Sequence, residues 1–66
     1  MNASILQTTE EITVTIREED YAYTGRLAGL ALKRNGAVRY VVEDHLGRLF
    51  IHSARQLGVP EGWMPT

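Results

Sequence analysis

Hydrophobic and polar positions alternate along much of the chain. In residues 11–18 (EITVTIRE), Ile12, Val14 and Ile16 alternate with Thr13, Thr15 and Arg17. A period of two predicts a half-buried strand with one wet face. Residues 37–43 (AVRYVVE) predict another strand, with Val38, Tyr40 and Val42 on one face and Arg39, Val41 and Glu43 on the other. Residues 48–52 (RLFIH) predict a third, in which Leu49 and Ile51 face one way and Arg48, Phe50 and His52 the other. Turn signals separate the runs. Asn35-Gly36 predicts a two-residue type I′ hairpin, which needs positive φ at both positions. Asp44-His45-Leu46-Gly47 predicts a four-residue turn with Gly47 in the left-handed region.

Between the first two strands the pattern is less regular. Residues 19–24 (EDYAYT) read as a connecting loop with aromatic content. Residues 27–34 have helical propensity, but Gly25 and Gly29 count against a helix at roughly 1 kcal/mol each relative to alanine. With the Asn-Gly turn following, a long strand with glycine-permitted bends is expected. After His52, Ser53 opens and Gly58 closes a single helical or 3₁₀ turn. Val59 begins a last short strand that Pro60 confines to an edge. Residues 1–10 are expected to be a flexible arm, 11–59 the folded body, and 60–66 a tail that docks through Trp63 or frays. The expected core is Ile12, Val14, Ile16, Leu27, Val38, Tyr40, Val42, Leu49, Ile51 and Leu57.

Composition bears on how such a chain holds together. A 66-residue chain is a single domain with a small core. It has no cysteine, so a disulfide framework and a thiolate metal site are excluded. Burial against another copy is then the most economical source of stability, and a homo-oligomer is expected. The N-terminal segment lacks the basic start and apolar run of a signal peptide, and no stretch is long enough to cross a bilayer. A soluble cytoplasmic protein is the expectation. The net charge of −1 is unevenly placed. Glu10, Glu11, Glu18, Glu19 and Asp20 make the entry segment acidic, while Arg26, Lys33, Arg34, Arg39, Arg48 and Arg55 make the remainder mildly basic.

The element order (strand, loop, strand, turn, strand, turn, strand, 3₁₀ turn, short strand) resembles an all-β, five-stranded SH3-like barrel. Within that class the chain is most similar to the plasmid-borne type II dihydrofolate reductases. The resemblance rests on Gly25-Arg26-Leu27-Ala28-Gly29, on Tyr40-Val41-Val42-Glu43, on Gly47-Arg48-Leu49-Phe50-Ile51-His52, and on Leu57 after the turn. Phe50 and His52 stand where that family's pattern has Gln and Tyr, and Ile51 matches. The resemblance implies barrels assembled as a tetramer around one pore, and a plasmid, phage or other bacterial origin. Signalling SH3 domains are a second comparison, to which Tyr21, Tyr23 and Trp63 contribute aromatics in a different order.

No catalytic or metal-binding motif stands out, and no cofactor is implied. His52 and Ser53 are neighbours on a strand and point to opposite faces, so they do not form a nucleophile–base pair. The two histidines have no cysteine to join them in a metal site. Arg39, Val41, Arg48, Phe50 and His52 are the candidate binding or interface residues, expected on one face of the paired third and fourth strands. As an oligomer contact, Val41 and Phe50 supply the buried part and the arginines its rim. As a nucleic-acid surface, the aromatic stacks a base of a single strand and the arginines meet phosphate. The expected function is that of a small, non-enzymatic, oligomeric binding or regulatory module with a protein partner. A pore-forming reductase or ligand-binder of the type II kind and a single-stranded nucleic-acid-binding barrel are the alternatives.

Overall fold

One long strand organises the molecule. The computed structural model describes residues 3–7 and 11–65. Along it run β1 (Ala3–Gln7), β2 (Thr13–Arg17), β3 (Ala22–Lys33), β4 (Val38–Glu43), β5 (Leu49–His52) and a one-turn helix, α1 (Ala54–Leu57). β3 is 12 residues long and pairs antiparallel with three partners. Its first half pairs with β2, from Arg17↔Ala22 to Thr13↔Arg26, and its second half with β1, from Gln7↔Gly29 to Ala3↔Lys33. Its other edge carries β4, which in turn carries β5.

The fold is therefore all-β, one antiparallel sheet ordered β1–β3–β4–β5, with β2 beside β3 where β1 is not. The expected five-stranded closed barrel is not formed. The sheet is open and at most four strands across, since β1 and β2 share one edge of β3. It is nonetheless curled. α1, which follows β5, packs against β2 from the opposite edge. A register shift between Leu27 and Gly29 adds a residue to β3 and increases the local twist.

The expected strand at Val59 is absent. Its N–H donates to Ala54 O at 3.1 Å and so belongs to the cap of α1. Ser53 and Gln56 form a reciprocal capping box at the start of α1, and Gly58, at φ 73°, ends it. Of the helical or 3₁₀ turn expected here, the structure forms a single α-helical turn. Residues 3–7, expected in an arm, form β1 instead.

Both tight hairpins have the same construction, and it is not type I′. Gly36 N–H donates to Lys33 O and Lys33 N–H to Ala37 O; Gly47 N–H donates to Asp44 O and Asp44 N–H to Arg48 O. These are three-residue loops whose last residue is a left-handed glycine, Gly36 at φ 89° and Gly47 at φ 81°. Asn35 keeps negative φ, because no described non-glycine residue has positive φ. Its side chain accepts from Ala37 N–H instead.

Loop length decides which residues face the core. A four-residue turn at 44–47 would place Leu49 opposite Val42. The three-residue loop places Phe50 opposite Val42 and His52 opposite Tyr40. Every β5 side chain therefore sits on the face opposite to the one expected. The inner face gathers Leu27, Leu30, Val38, Tyr40 and Ala54, with Ile12, Val14, Leu32, Leu57, Val59 and Trp63 packed around them. Ile16 and Val42 are fully buried, as expected. Leu49 and Ile51, expected in the core, are 61% and 64% exposed on the outer face. Trp63 docks as its ring predicts: it lies 6.0 Å from the Tyr40 ring, and its carbonyl accepts the Tyr40 hydroxyl at 2.6 Å.

Candidate functional site: an aromatic cleft beside β5

Gly25 sets the shape of the site. A Cβ at this position would lie 2.6 Å from Glu43 O and 2.7 Å from Val42 Cγ1. Only glycine lets β3 cross this closely over the end of β4. The close crossing brings Tyr23, two residues earlier on β3, across to β5. Its ring meets Phe50 edge-on at 5.9 Å and His52 at 5.7 Å. Tyr21 stacks on Tyr23 at 6.3 Å. These side chains, with Ala22, Asp44, His45 and Arg48, line an open cleft of about 450 Å³.

The cleft wall is held by a hydrogen-bonded series. The Gln56 amide nitrogen donates to Glu18 Oε1 at 2.6 Å, so the Gln56 oxygen faces His52. That oxygen only accepts, so His52 Nδ1 carries the proton between them, at 3.2 Å. His52 Nε2 is then left to accept from the Tyr23 hydroxyl, at 2.5 Å. His52 is buried, with its ring polar atoms satisfied at both ends. Burial, then the neighbouring Tyr21 and Asp44, push the Tyr23 hydroxyl above the ordinary tyrosine pKa, so it stays a donor. The Gln56 hydrogen bond, aided by Arg55, holds Glu18 below the usual carboxylate value despite its desolvation.

Asp44 organises the opposite lip. Its Oδ1 accepts from the N–H groups of Leu46 and Arg48 at 3.0 and 2.8 Å. Its Oδ2 accepts from Arg48 Nε at 2.7 Å. Desolvation pushes the Asp44 carboxyl up, but the Arg48 and Leu46 hydrogen bonds and the Arg48 charge outweigh it, so its pKa is lowered. The Arg48 guanidinium then lies 5.7 Å from the centre of the Phe50 ring. Its charge is countered by Asp44 within the cleft.

The structure divides the five candidate residues. Arg48, Phe50 and His52 meet at the cleft. Arg39 and Val41 are on the outer face, because Val41 pairs with Ile51 rather than with Phe50. Val41 is buried there, and Arg39 lies 3.9 Å from Glu61. The expected joint surface of Arg39, Val41, Arg48, Phe50 and His52 is thus not formed. The sequence reading missed Tyr21, Tyr23 and Asp44 as site residues. Their signals were an i, i+2 tyrosine pair two residues before Gly25, and an acid four residues before an arginine across a tight turn.

Among the described residues, no group of three or more His, Cys, Asp and Glu side chains could hold a metal ion, and no helix is long and apolar enough to cross a membrane. No family model matches the chain, and no curated protein or solved structure matches it either.

Proposed function

We propose that the chain is a small, non-enzymatic, self-associating binding module whose ligand is an extended peptide segment taken up in the aromatic cleft. One observation carries this reading. Tyr23, Phe50 and His52 hold one another in place around an open cleft, so a stacking and apolar surface is prepared before any ligand arrives. The one hydroxyl–imidazole pair described at the cleft, Tyr23 and His52, is the bond that fixes its wall, and burial keeps the Tyr23 hydroxyl protonated rather than nucleophilic. The cleft's one arginine is countered by Asp44, and Arg39 is on the other face, so the free positive charge that a phosphate backbone requires is lacking.

Selection from a displayed random-peptide library tests the reading. Recovered peptides should shift the amide resonances of Tyr21, Tyr23, Phe50 and His52, and should lose affinity for Phe50→Ala. Failure to recover a peptide, together with salt-sensitive binding of an oligothymidine at these same residues, would replace the peptide by a nucleic acid.

A reductase-like assembly of the type II kind is the second reading. It is favoured by the exposure of Ile51, the residue that matches that family's pattern. Loss of dihydrofolate in the presence of a reduced nicotinamide, abolished in Ile51→Lys, would support it.

A further inference from the structure

The free edge of β5 carries a second unexplained surface. Asp44 N–H donates to Arg48 O, so residues 44 and 48 form a hydrogen-bonded pair. Along an antiparallel ladder such pairs alternate. Phe50 and His52 therefore turn their backbone groups toward β4, and Leu49 and Ile51 turn theirs outward. The same two residues expose their side chains, at 61% and 64%. Apart from its four-residue length, this edge is unprotected: β5 reads LFIH, with no lysine, proline or bulge. The opposite edge is different, since α1 packs against β2.

We infer that β5 pairs antiparallel with β5 of a second copy, about a two-fold axis at Phe50. The occupant is a second copy because the strand is complementary to itself. With Phe50 opposite Phe50 of the other copy, Leu49 faces Ile51 and Ile51 faces Leu49. The outward N–H and C=O groups of these residues then meet as hydrogen-bonded pairs. On the outer face, Val41, Ile51, the second copy's Leu49 and the second copy's Glu43 line up in one row. On the inner face, Arg48 of each copy comes opposite His52 of the other. Each Arg48 keeps its own Asp44, so no uncompensated like charges are brought together. The two Phe50 rings meet at the axis, which joins the two aromatic clefts side by side and makes each a neighbour of the other's Arg48. This inference rests on the self-association in the proposed function and specifies its surface; it does not depend on what the cleft binds.

The test uses the whole chain. Sedimentation should show a dimer, and the amides of Leu49 and Ile51 should exchange with solvent more slowly as protein concentration rises. Ile51→Lys should raise the dissociation constant about tenfold or more and remove that protection. Its circular dichroism should stay that of a folded sheet, because Ile51 is exposed. Leu46→Lys, at an equally exposed position in the turn, should leave the dimer intact. A monomer at the highest soluble concentration would overturn both the inference and the self-association. A dimer in which Leu49 and Ile51 amides exchange freely, or which Ile51→Lys leaves unchanged, would overturn the β5 pairing alone.

Discussion

Replacing Gly25 by alanine tests the contact on which the cleft depends. The added Cβ would sit 2.6 Å from the carbonyl oxygen of Glu43 and 2.7 Å from Val42 Cγ1. Val42 is fully buried, so its side chain has little room to yield, and the Glu43 oxygen belongs to the backbone of a paired strand. The strands must separate locally. Overpacking of this kind costs about 1–3 kcal/mol, and the backbone neighbour places Gly25→Ala toward 3. A core in a chain of this size supplies on the order of 3–5 kcal/mol, so most of the stability is at stake. At roughly 4–8 °C per kcal/mol, the melting temperature should fall by about 12–24 °C. Thermal melting followed by circular dichroism at fixed protein concentration measures it. The Tyr23 ring resonances should also move, since the crossing that carries Tyr23 to His52 is displaced. A melting temperature within a few degrees of the parent, with unchanged Tyr23 resonances, would show that β3 does not pass this closely over β4.

The remaining predictions concern the core, the tail and the Asp44 lip. Leu27→Ala should destabilise the fold by about 2–5 kcal/mol, whereas Ile51→Ala should change the stability of the monomer by less than about 1 kcal/mol, compared by urea denaturation at low protein concentration. Tyr40→Phe should cost about 0.5–1.5 kcal/mol through loss of the bond to the Trp63 carbonyl, and a red shift of tryptophan emission should report release of the tail. Asp44 has a lowered pKa in the folded state, so its contribution is fully present above the ordinary carboxylate pKa and is lost as pH falls through the lower folded value. Urea midpoints measured across the acid range should therefore decline less steeply for Asp44→Asn than for the parent.

Much of the fold was legible where one face is wet and the other buried. Val14 and Ile16 on β2 with Ile12 just before it, and Val38, Tyr40 and Val42 on β4, lie where alternation places them, because a one-residue slip would expose the whole set. On β5 the pattern is ambiguous. Arg48, Leu49, Phe50, Ile51 and His52 offer apolar side chains to both faces, and only the loop length decides between them. A three-residue loop and a four-residue turn look alike in Asp44-His45-Leu46-Gly47, yet they send Phe50 to opposite sides. The candidate surface inherited that ambiguity: Arg39 and Val41 lie on the outer face as expected, but Arg48, Phe50 and His52 turn to the other face, where the three-residue loop puts them. Tyr21 and Tyr23 were hidden for another reason. Their approach to Phe50 and His52 depends on a contact between Gly25 and the backbone of Glu43, distant in sequence and without a local signature.

β3 has a consequence for how the molecule comes apart. Two strands lie end to end on one of its edges and a third covers the other, so β1, β2 and β4 all depend on one stretch of backbone. Fraying at β5 or β1 breaks one ladder, while an opening at Arg26 or along Gly29–Leu32 of β3 breaks two at once. Local openings are thereby confined to the margins, and the centre of the sheet acts as a single cooperative unit. The central β3 amides should share one opening free energy, equal to that of global unfolding, and the chain should have no partly folded state in which β2 and β4 survive apart.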